Sequence, residues 1–338
     1  MKSRVPEVIE RARKLVEPAL VEAVDRLSPG LRLPGRYHFG WADAVGDPVP
    51  DGGHGKGVRP SLALLSAEAV GAAPEVALPG AVAVELVHNF SLVHDDIIDD
   101  DKERRHRATV WNVFGTGDAI VVGDALMVLA FELLLEEATP ERTAAAADLI
   151  RATADMIAGQ YMDMSFESSA PGDVQRCWEM VSLKTGAILA HASAVGAILA
   201  GAPAAAVKSL RCFGGELGRA FQAVDDLLGI WGDPSVTGKP AGNDLRERKR
   251  SVPVTVALHS GTRAGAMLAD LYASDHLSDS DIARAAALVD EAGGRSATVA
   301  AARECMHRAA DALSEADLEV RAADELLELA EFIVDRDF

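Results

Sequence analysis

Paired carboxylates on otherwise apolar helical segments are the features of this sequence with most chemical meaning. The run Asp95-Asp96-Ile97-Ile98-Asp99 follows Glu85-Leu86-Val87-His88-Asn89-Phe90-Ser91-Leu92-Val93-His94. At 3.6 residues per turn, His88, Asp95 and Asp99 fall on one face, and Leu86, Phe90, Val93 and Ile97 lie largely on the apolar side. Carboxylates about 6 Å apart repel by roughly 3 kcal/mol at an effective dielectric of 20, so an apolar helix carrying them calls for a cation. Oxygen-only ligands suit Mg²⁺, which takes one or two carboxylates with waters and phosphate oxygens. A single acidic run is as often a solvated helix end, but a second cluster repeats the pattern. In Phe221-Gln222-Ala223-Val224-Asp225-Asp226-Leu227-Leu228-Gly229, Gln222 and Asp225 share one face while Phe221, Val224 and Leu228 form the apolar stripe.

Basic residues accompany both clusters. Gly55-Lys56-Gly57-Val58-Arg59-Pro60 ends a long loop, and Arg104-Arg105 follows the first acidic run. Lys184-Thr185-Gly186 interrupts an apolar helix, and Thr237-Gly238-Lys239-Pro240 lies in a second loop. None is a Walker loop, because the spacing and the following Ser or Thr are absent. Aspartates for Mg²⁺ together with cations for phosphoryl oxygens describe a site for anionic phosphate esters.

The elements that hold these groups are helical. Of 338 residues, 49% are hydrophobic but only 5% aromatic, a composition that favours helices over strands. Residues 5–27 read as an amphipathic helix and Ser28 to Arg59 as a long connection punctuated by Pro and Gly. From Pro60 onward, helical patterns of 10 to 25 residues alternate with breakers at Ala73-Pro74, Thr139-Pro140, Pro171-Gly172 and Gly201-Ala202-Pro203, and a second loop runs from Gly232 to Val252. One all-α domain over residues 1–338 is expected. The net charge of −19 argues against a nucleic-acid partner. Cys177, Cys212 and Cys305 lack metal or disulfide spacing. Without the apolar run of a secretory signal near Met1, the expected address is the cytoplasm. The stretch Ala187 to Val207 has no titratable residue other than His191, yet its Ala, Gly and Ser content reads as an interior helix rather than a membrane span.

From about Gly52 to Arg336 the chain resembles the trans-isoprenyl diphosphate synthases, the polyprenyl synthetase family. The first aspartate-rich motif of that family, DDxxD followed by RR, is matched by Asp95 to Asp99 with Arg104-Arg105, and the preceding ELxHxxSLxHDD by Glu85 to Asp96. The GKxxRP, GDAL, GQxxD, KTG, FQxxDD and TGKPxGNDLRExKR elements appear at Lys56, Gly123-Asp124, Gly159-Gln160 with Asp163, Lys184, Phe221-Gln222 and Thr237 to Arg250. The resemblance implies an isoprenoid-synthase fold, a large helical bundle around a deep central cavity, and a homodimer. It implies a Mg²⁺-dependent condensation of isopentenyl diphosphate with an allylic diphosphate. Asp95, Asp96 and Asp99 would hold two Mg²⁺ ions, and Asp225, in the pair with Asp226, a third. Arg104, Lys184 and Lys239 would bind the allylic diphosphate, while Lys56, Arg59, His88 and Arg105 would bind isopentenyl diphosphate. Thr185 and Gln222 would turn oxygens toward the allylic cation.

Two departures stand out. Gly229 occupies the last position of the second motif, where the family pattern has Asp, and the RRG(K/R)PT element reads Arg104-Arg105-His106-Arg107-Ala108-Thr109. Product length is expected to depend on Phe90, five positions before Asp95 and so about 7.5 Å deeper along the helix. A bulky residue there with Ser91 next to it resembles a C20 geranylgeranyl diphosphate synthase more than a C15 farnesyl one; a farnesyl or longer-chain synthase is the alternative. A class I terpene cyclase would not need the second cationic pocket of Lys56, Arg59 and Arg105, and a non-catalytic regulatory subunit would not need the intact first motif.

Overall fold

The computed structural model describes residues 6–49, 57–168, 173–233, 241–274 and 276–335. Lys56, Lys239 and the Pro171-Gly172 break lie outside the described residues. The chain forms two compact units, one of Met1–Thr153, His191–Arg211 and Leu313–Leu329, the other of Ala154–Ala190, Cys212–Ala312 and Ala330–Phe338. As expected from composition, helices dominate both; among the described residues the only paired strands are Glu103–Arg104 and Arg107–Ala108.

In the first unit, α1 (Glu7–Asp25) buries Val8, Ile9, Ala12, Val16 and Leu20 along one stripe. The stretch read as a loop from Ser28 begins instead with a helix, α2 (Pro29–His38). Pro29 sits at its first position, where a missing N–H is harmless and the fixed φ suits a helix. Pro34, Gly35 and Tyr37 are buried, and Gly35 packs against Val24 and Leu27 at the end of α1. Burial thus overrides the Pro and Gly content on which the loop reading rested.

α3 (Val58–Glu68) is buried continuously from Pro60 to Ala67. After a 3₁₀ turn at Pro74–Ala77 comes α4 (Leu78–Ile98), which carries the first aspartate motif and packs against α1, α3 and α6 (Thr116–Leu135). Between α4 and α6 lie the two short strands and α5 (Val110–Phe114). α7 (Pro140–Ser168), α8 (Val174–Val181), a π-helical turn (Ser182–Gly186) and α9 (Ala187–Leu199) follow, and Pro140 and Pro203 fall at the breaks expected for them.

Two helical spans, Pro74–Ile98 and Val174–Leu199, are long and apolar enough to cross a membrane, but 61% and 67% of their most apolar windows are buried inside the protein. They are interior helices, and the small residues of α9 have a packing role. A Cβ on Gly196 would lie 2.3 Å from the Ala63 carbonyl oxygen. Only glycine lets α9 come that near α3, where the Gly196 N–H donates to Ser66 Oγ at 2.9 Å.

In the second unit, α10 (Ala204–Trp231) carries the second aspartate motif. Its last turn joins a core of Ile230, Leu245, Val254, Leu268, Ile282 and Leu288. These come from α11 (Asn243–Arg246), α12 (Val252–Leu258), α13 (Arg263–Tyr272) and α14 (Asp279–Glu291). α15 (Gly294–Ser314) and α16 (Val320–Val334) complete the chain of helices.

One buried polar network stabilises the first unit. His191, fully buried, donates from Nδ1 to Asp148 Oδ2 at 2.8 Å, and Arg211 pairs with Asp148 Oδ1 at 2.8 Å. Burial pushes the Asp148 carboxyl up, but the hydrogen bonds and charges of His191 and Arg211 outweigh it and hold it well below the usual carboxylate range. Removing one member of a buried pair leaves the rest uncompensated. Asp148→Asn should therefore lower stability by about 3 kcal/mol at pH 7. A carboxyl depressed in the folded state contributes fully above its unfolded value, about pH 4. Urea titrations should show the wild-type advantage constant above that pH and shrinking below it.

Candidate active site

α4 delivers its polar stripe because its opposite faces are filled. Leu86, Val87, Phe90 and Val93 are buried, whereas His88 and Asp95 are half-buried and Asp99 is exposed at the C-cap. Asp100, at φ 54°, ends the helix in the left-handed region, a conformation that Asp tolerates better than most residues. Asp96 behaves differently from its neighbours. It is 2% exposed and accepts a hydrogen bond from Arg104 Nε at 2.7 Å. Burial pushes its carboxyl up to about 6, against the opposing pull of Arg104. Asp96 therefore anchors Arg104, and Asp95 and Asp99 are the carboxylates presented outward.

Arg104 and Arg105 ride on the hairpin Glu103–Ala108, whose turn residues Arg105 and His106 both have positive φ, 53° and 61°. Two-residue hairpin turns of this kind match the twist of their strands but favour Gly and Asn. His106 adopts this conformation where the family pattern has Gly. The hairpin is pinned from outside: Thr109 Oγ1 and Trp111 Nε1 both donate to the Asp101 carbonyl at 2.9 Å, and Tyr37 Oη donates to the Ala108 carbonyl at 2.8 Å. Arg107 lies over the Tyr37 ring, 4.5 Å from its centroid. Tyr37, Arg107 and Trp111 are supports that sequence reasoning missed, since nothing in their spacing ties α2 to the hairpin.

A second cationic group lies beside the first in the same unit. Arg59 has its Nε shut off from solvent and without a hydrogen-bond partner among the described residues. Burial pushes its guanidinium down, Glu85 pulls it back up, and Arg105 lowers it further. Burial, then the charges of Arg59 and Arg105, holds His88 well below the usual histidine range, so its imidazole is neutral. Arg105, exposed at the hairpin turn, is likewise lowered, by partial desolvation first and with Glu85 opposing. Cavities of about 150 Å³ and 70 Å³ both reach Arg105; the first is lined also by Asp96 and Arg104, the second by Gly57, Pro60, Glu85 and Asn89.

In the second unit, the π-helical turn Ser182–Gly186 places Lys184 and Thr185, an irregularity common at functional sites. Lys184 Nζ pairs with Asp163 Oδ2 at 2.6 Å. Thr185 Oγ1 donates to Gln222 Oε1, Gln222 Nε2 donates to Asp226 Oδ1, and the Val252 N–H donates to Asp226 Oδ2, each at 2.8 Å. Asp226 is 7% exposed, and burial pushes it up to about 7 despite those bonds. Asp225 is exposed on the same helix. Both motifs thus share a division of labour: the second aspartate is buried and orients a neighbour, Arg104 or Gln222, while the first is presented outward.

Phe90 is 6% exposed and meets the His94 ring edge to face at 5.0 Å, with His94 Nε2 donating to the Ile120 carbonyl at 3.0 Å. Ser91 Oγ donates to the His88 carbonyl at 2.8 Å. Among the described residues, no three His, Cys, Asp or Glu side chains converge as a metal cluster. The donors still fit Mg²⁺, which commonly takes one or two carboxylates and completes its shell with water and substrate phosphate.

The polyprenyl synthetase family pattern matches residues 51–289, which include both aspartate motifs and the cationic residues near them. The chain belongs to the polyprenyl synthetase family. It is a prenyltransferase of the short-chain trans-isoprenyl diphosphate synthase type. It is 44% identical to a (2E,6E)-farnesyl diphosphate synthase of Mycobacterium tuberculosis over 99% of this chain and 94% of that one. A geranylgeranyl diphosphate synthase of the same organism is 42% identical over 98% and 93%. The crystal structure of a polyprenyl synthetase from Streptomyces coelicolor A3(2) superimposes with a TM-score of 0.92 at 50% identity, covering 97% of this chain and 99% of that one. The all-α fold expected from the sequence is that of the polyprenyl synthetases.

The position of Lys184 depends on a close approach between helices. A Cβ on Gly159 of α7 would lie 2.3 Å from the Lys184 backbone nitrogen and 2.7 Å from its Cα. Gly159→Ala should push the π-helical turn away and destabilise the protein by about 1 to 3 kcal/mol, as overpacking does. A thermal unfolding midpoint unchanged from wild type would show that the turn can move without loss.

Proposed function

We propose that this prenyltransferase condenses isopentenyl diphosphate with an allylic diphosphate (dimethylallyl, geranyl or farnesyl) and releases geranylgeranyl diphosphate, the C20 product. The observation that carries the reading is the cationic group of Arg59 and Arg105, whose charges both act on the neutral His88. Its two guanidinium groups form no ion pair among the described residues, although burial or crowding lowers both. Such a pocket is incomplete without a bound anion, and it is distinct from the outward-facing carboxylates of Asp95 and Asp99. Isopentenyl diphosphate, held by Arg59, Arg105 and His88 with Lys56, is that anion. A cyclase acting on one diphosphate has no use for it.

Asp95 and Asp99 on α4 would hold two Mg²⁺ ions, and Asp225 on α10 a third. Bound Mg²⁺ supplies the Lewis acidity that neutralises charge on a departing diphosphate. Arg104, fixed by Asp96, and Lys184, fixed by Asp163, add charge-assisted hydrogen bonds to the same group, with Lys239 as a further cation. Thr185 and Gln222 bring oxygens to the developing allylic cation, and Asp226 fixes the direction of the Gln222 amide. The double bond of isopentenyl diphosphate is the nucleophile, so the protein contributes orientation rather than a nucleophilic side chain. The released diphosphate takes the proton. The neutral imidazole of His88 suits a hydrogen-bond donor to phosphate rather than a general acid.

The chain works as a single catalytic domain, as a homodimer and in the cytoplasm. Dimerisation is supported by exposed Val121, Val128 and Leu135, 50%, 58% and 51% exposed at two-turn intervals on α6, an apolar stripe that a second copy would cover. Product length rests on Phe90 with the small Ser91 beside it.

Purified enzyme given both substrates should release one diphosphate per condensation. Asp95→Ala and Asp99→Ala should each reduce turnover at least about a hundredfold without unfolding the protein. Arg105→Ala should mainly raise the Michaelis constant for isopentenyl diphosphate and Arg104→Ala that for the allylic substrate, each by the equivalent of about 1.5 to 3 kcal/mol. Equal effects of both changes on both constants would sink the two-pocket assignment. Phe90→Ala should shift products beyond C20 by mass spectrometry; an unchanged distribution would remove Phe90 from the account.

A further inference from the structure

The last residue of α2, His38, is tied to α4 by a short chain of hydrogen bonds. His38 Nε2 meets Asn89 Oδ1 at 2.9 Å. The amide nitrogen of Asn89 turns the other way and donates to two oxygens of Glu85, the main-chain carbonyl at 2.8 Å and the carboxylate Oε1 at 3.2 Å. Those two acceptors settle which way the amide faces, so its oxygen is the end toward the ring and His38 Nε2 is the donor. The imidazole is then neutral, with its proton on Nε2. Burial pushes His38 down to about 3, the Asn89 bond opposing and the charges of Arg104, Arg105 and Arg107 adding to the fall, so the ring keeps this one form near neutral pH.

The chain runs between the walls of the two cavities that reach Arg105. His38 lines the larger, with Asp96, Arg104 and Arg105, while Asn89 and Glu85 line the smaller, with Gly57 and Pro60 from the segment that carries Arg59. Asn89 is 4% exposed, so a bond lost there is not readily replaced by water. Glu85 is the carboxylate whose charge opposes the lowering of both Arg59 and Arg105, and Arg105 itself lowers Arg59. A carboxylate held in one place keeps two like charges gathered about it, whereas one free to swing into solvent lets them part.

We propose that His38 is a positioning residue of the isopentenyl diphosphate site: through Asn89 it fixes the carboxylate of Glu85, and so the arrangement of Arg59 and Arg105 that receives the diphosphate. The proposal rests on the prenyl-transfer reading above. His38 lies before the stretch that the family pattern matches, residues 51–289, and Asn89 occupies an open position of the ELxHxxSLxHDD element. The device thus belongs to this chain and not to the motifs themselves.

Calorimetric titration with isopentenyl diphosphate alone, set beside steady-state kinetics with both substrates, tests the proposal. His38→Phe keeps the ring's bulk without the donor. It should weaken isopentenyl diphosphate about fivefold, in dissociation constant and Michaelis constant alike, as expected for one lost neutral hydrogen bond, with the allylic Michaelis constant and the turnover number within about twofold of wild type. His38→Gln, whose amide nitrogen stands near the place of Nε2, should recover most of the affinity. Asn89→Leu should reproduce the loss, and the double variant should be no weaker than either single one, because both act through one chain. Thermal unfolding midpoints report structural damage separately. An unchanged dissociation constant in His38→Phe, equal losses for the two substrates, no recovery in His38→Gln, or additive losses in the double variant overturn the proposal. A wild-type protein that neither binds nor condenses isopentenyl diphosphate would instead overturn the prenyl-transfer reading, and the proposal with it.

Discussion

Taking a guanidinium out of water without a carboxylate beside it is one of the more expensive things a folded chain can do. Arg59, whose Nε is shut off from solvent with no hydrogen-bond partner among the described residues, is close to that condition, with the charge of Glu85 opposing the cost and that of Arg105, exposed at the hairpin turn, adding to it. Much of the first unit serves to bring these groups together. α3 is buried almost throughout and carries Arg59 at its start, α4 brings His88 and Glu85, and the pinned hairpin brings Arg105. The aspartates of α4 present the opposite charge on the same helix, and the neutral His88 lies between the two kinds of charge.

The two acidic motifs make a related use of burial. Asp96 and Asp226 are withdrawn from solvent and accept hydrogen bonds that hold Arg104 and Gln222 in place. Their neighbours are less buried, Asp95 half-buried and Asp225 exposed. An adjacent pair of aspartates on a helix points about 100° apart, so one helix can hold one carboxylate inward and the other outward.

Sequence alone showed the helical class, the two acidic stripes and the cationic groups near them, because those depend on composition and on the 3.6-residue period. It did not show α2, whose prolines and glycine suggested a loop until burial of Tyr37 and packing against α1 decided otherwise. Nor did it separate Asp96 from Asp95, since identical residues one position apart differ only in what the neighbouring hairpin offers them. Asp244 was legible as part of a longer motif but not as a neighbour of Gly229, because fourteen residues of chain intervene and only the folded core around Leu245 brings them together. Tyr37 and Trp111 carry no signal of their own kind; they matter through carbonyls they hold from a distance.

The glycine contacts at the KTG turn have a consequence for variation. Gly159 faces the backbone of Lys184, and Gly218 of α10 lies so near Gly186 that an added Cβ would fall 2.7 Å from its Cα. At these points main chain meets main chain with no side chain to yield, so an enlargement at one position has no nearby compensating reduction. Phe90, by contrast, touches another side chain, the His94 ring, which can be exchanged for a smaller one. Substitutions at Phe90 can therefore accumulate by paired steps, while the seam that sets Lys184 is open only to the glycines it already has. One place is built of interchangeable side chains and the other of backbone in direct contact, so the two differ in how freely they can vary.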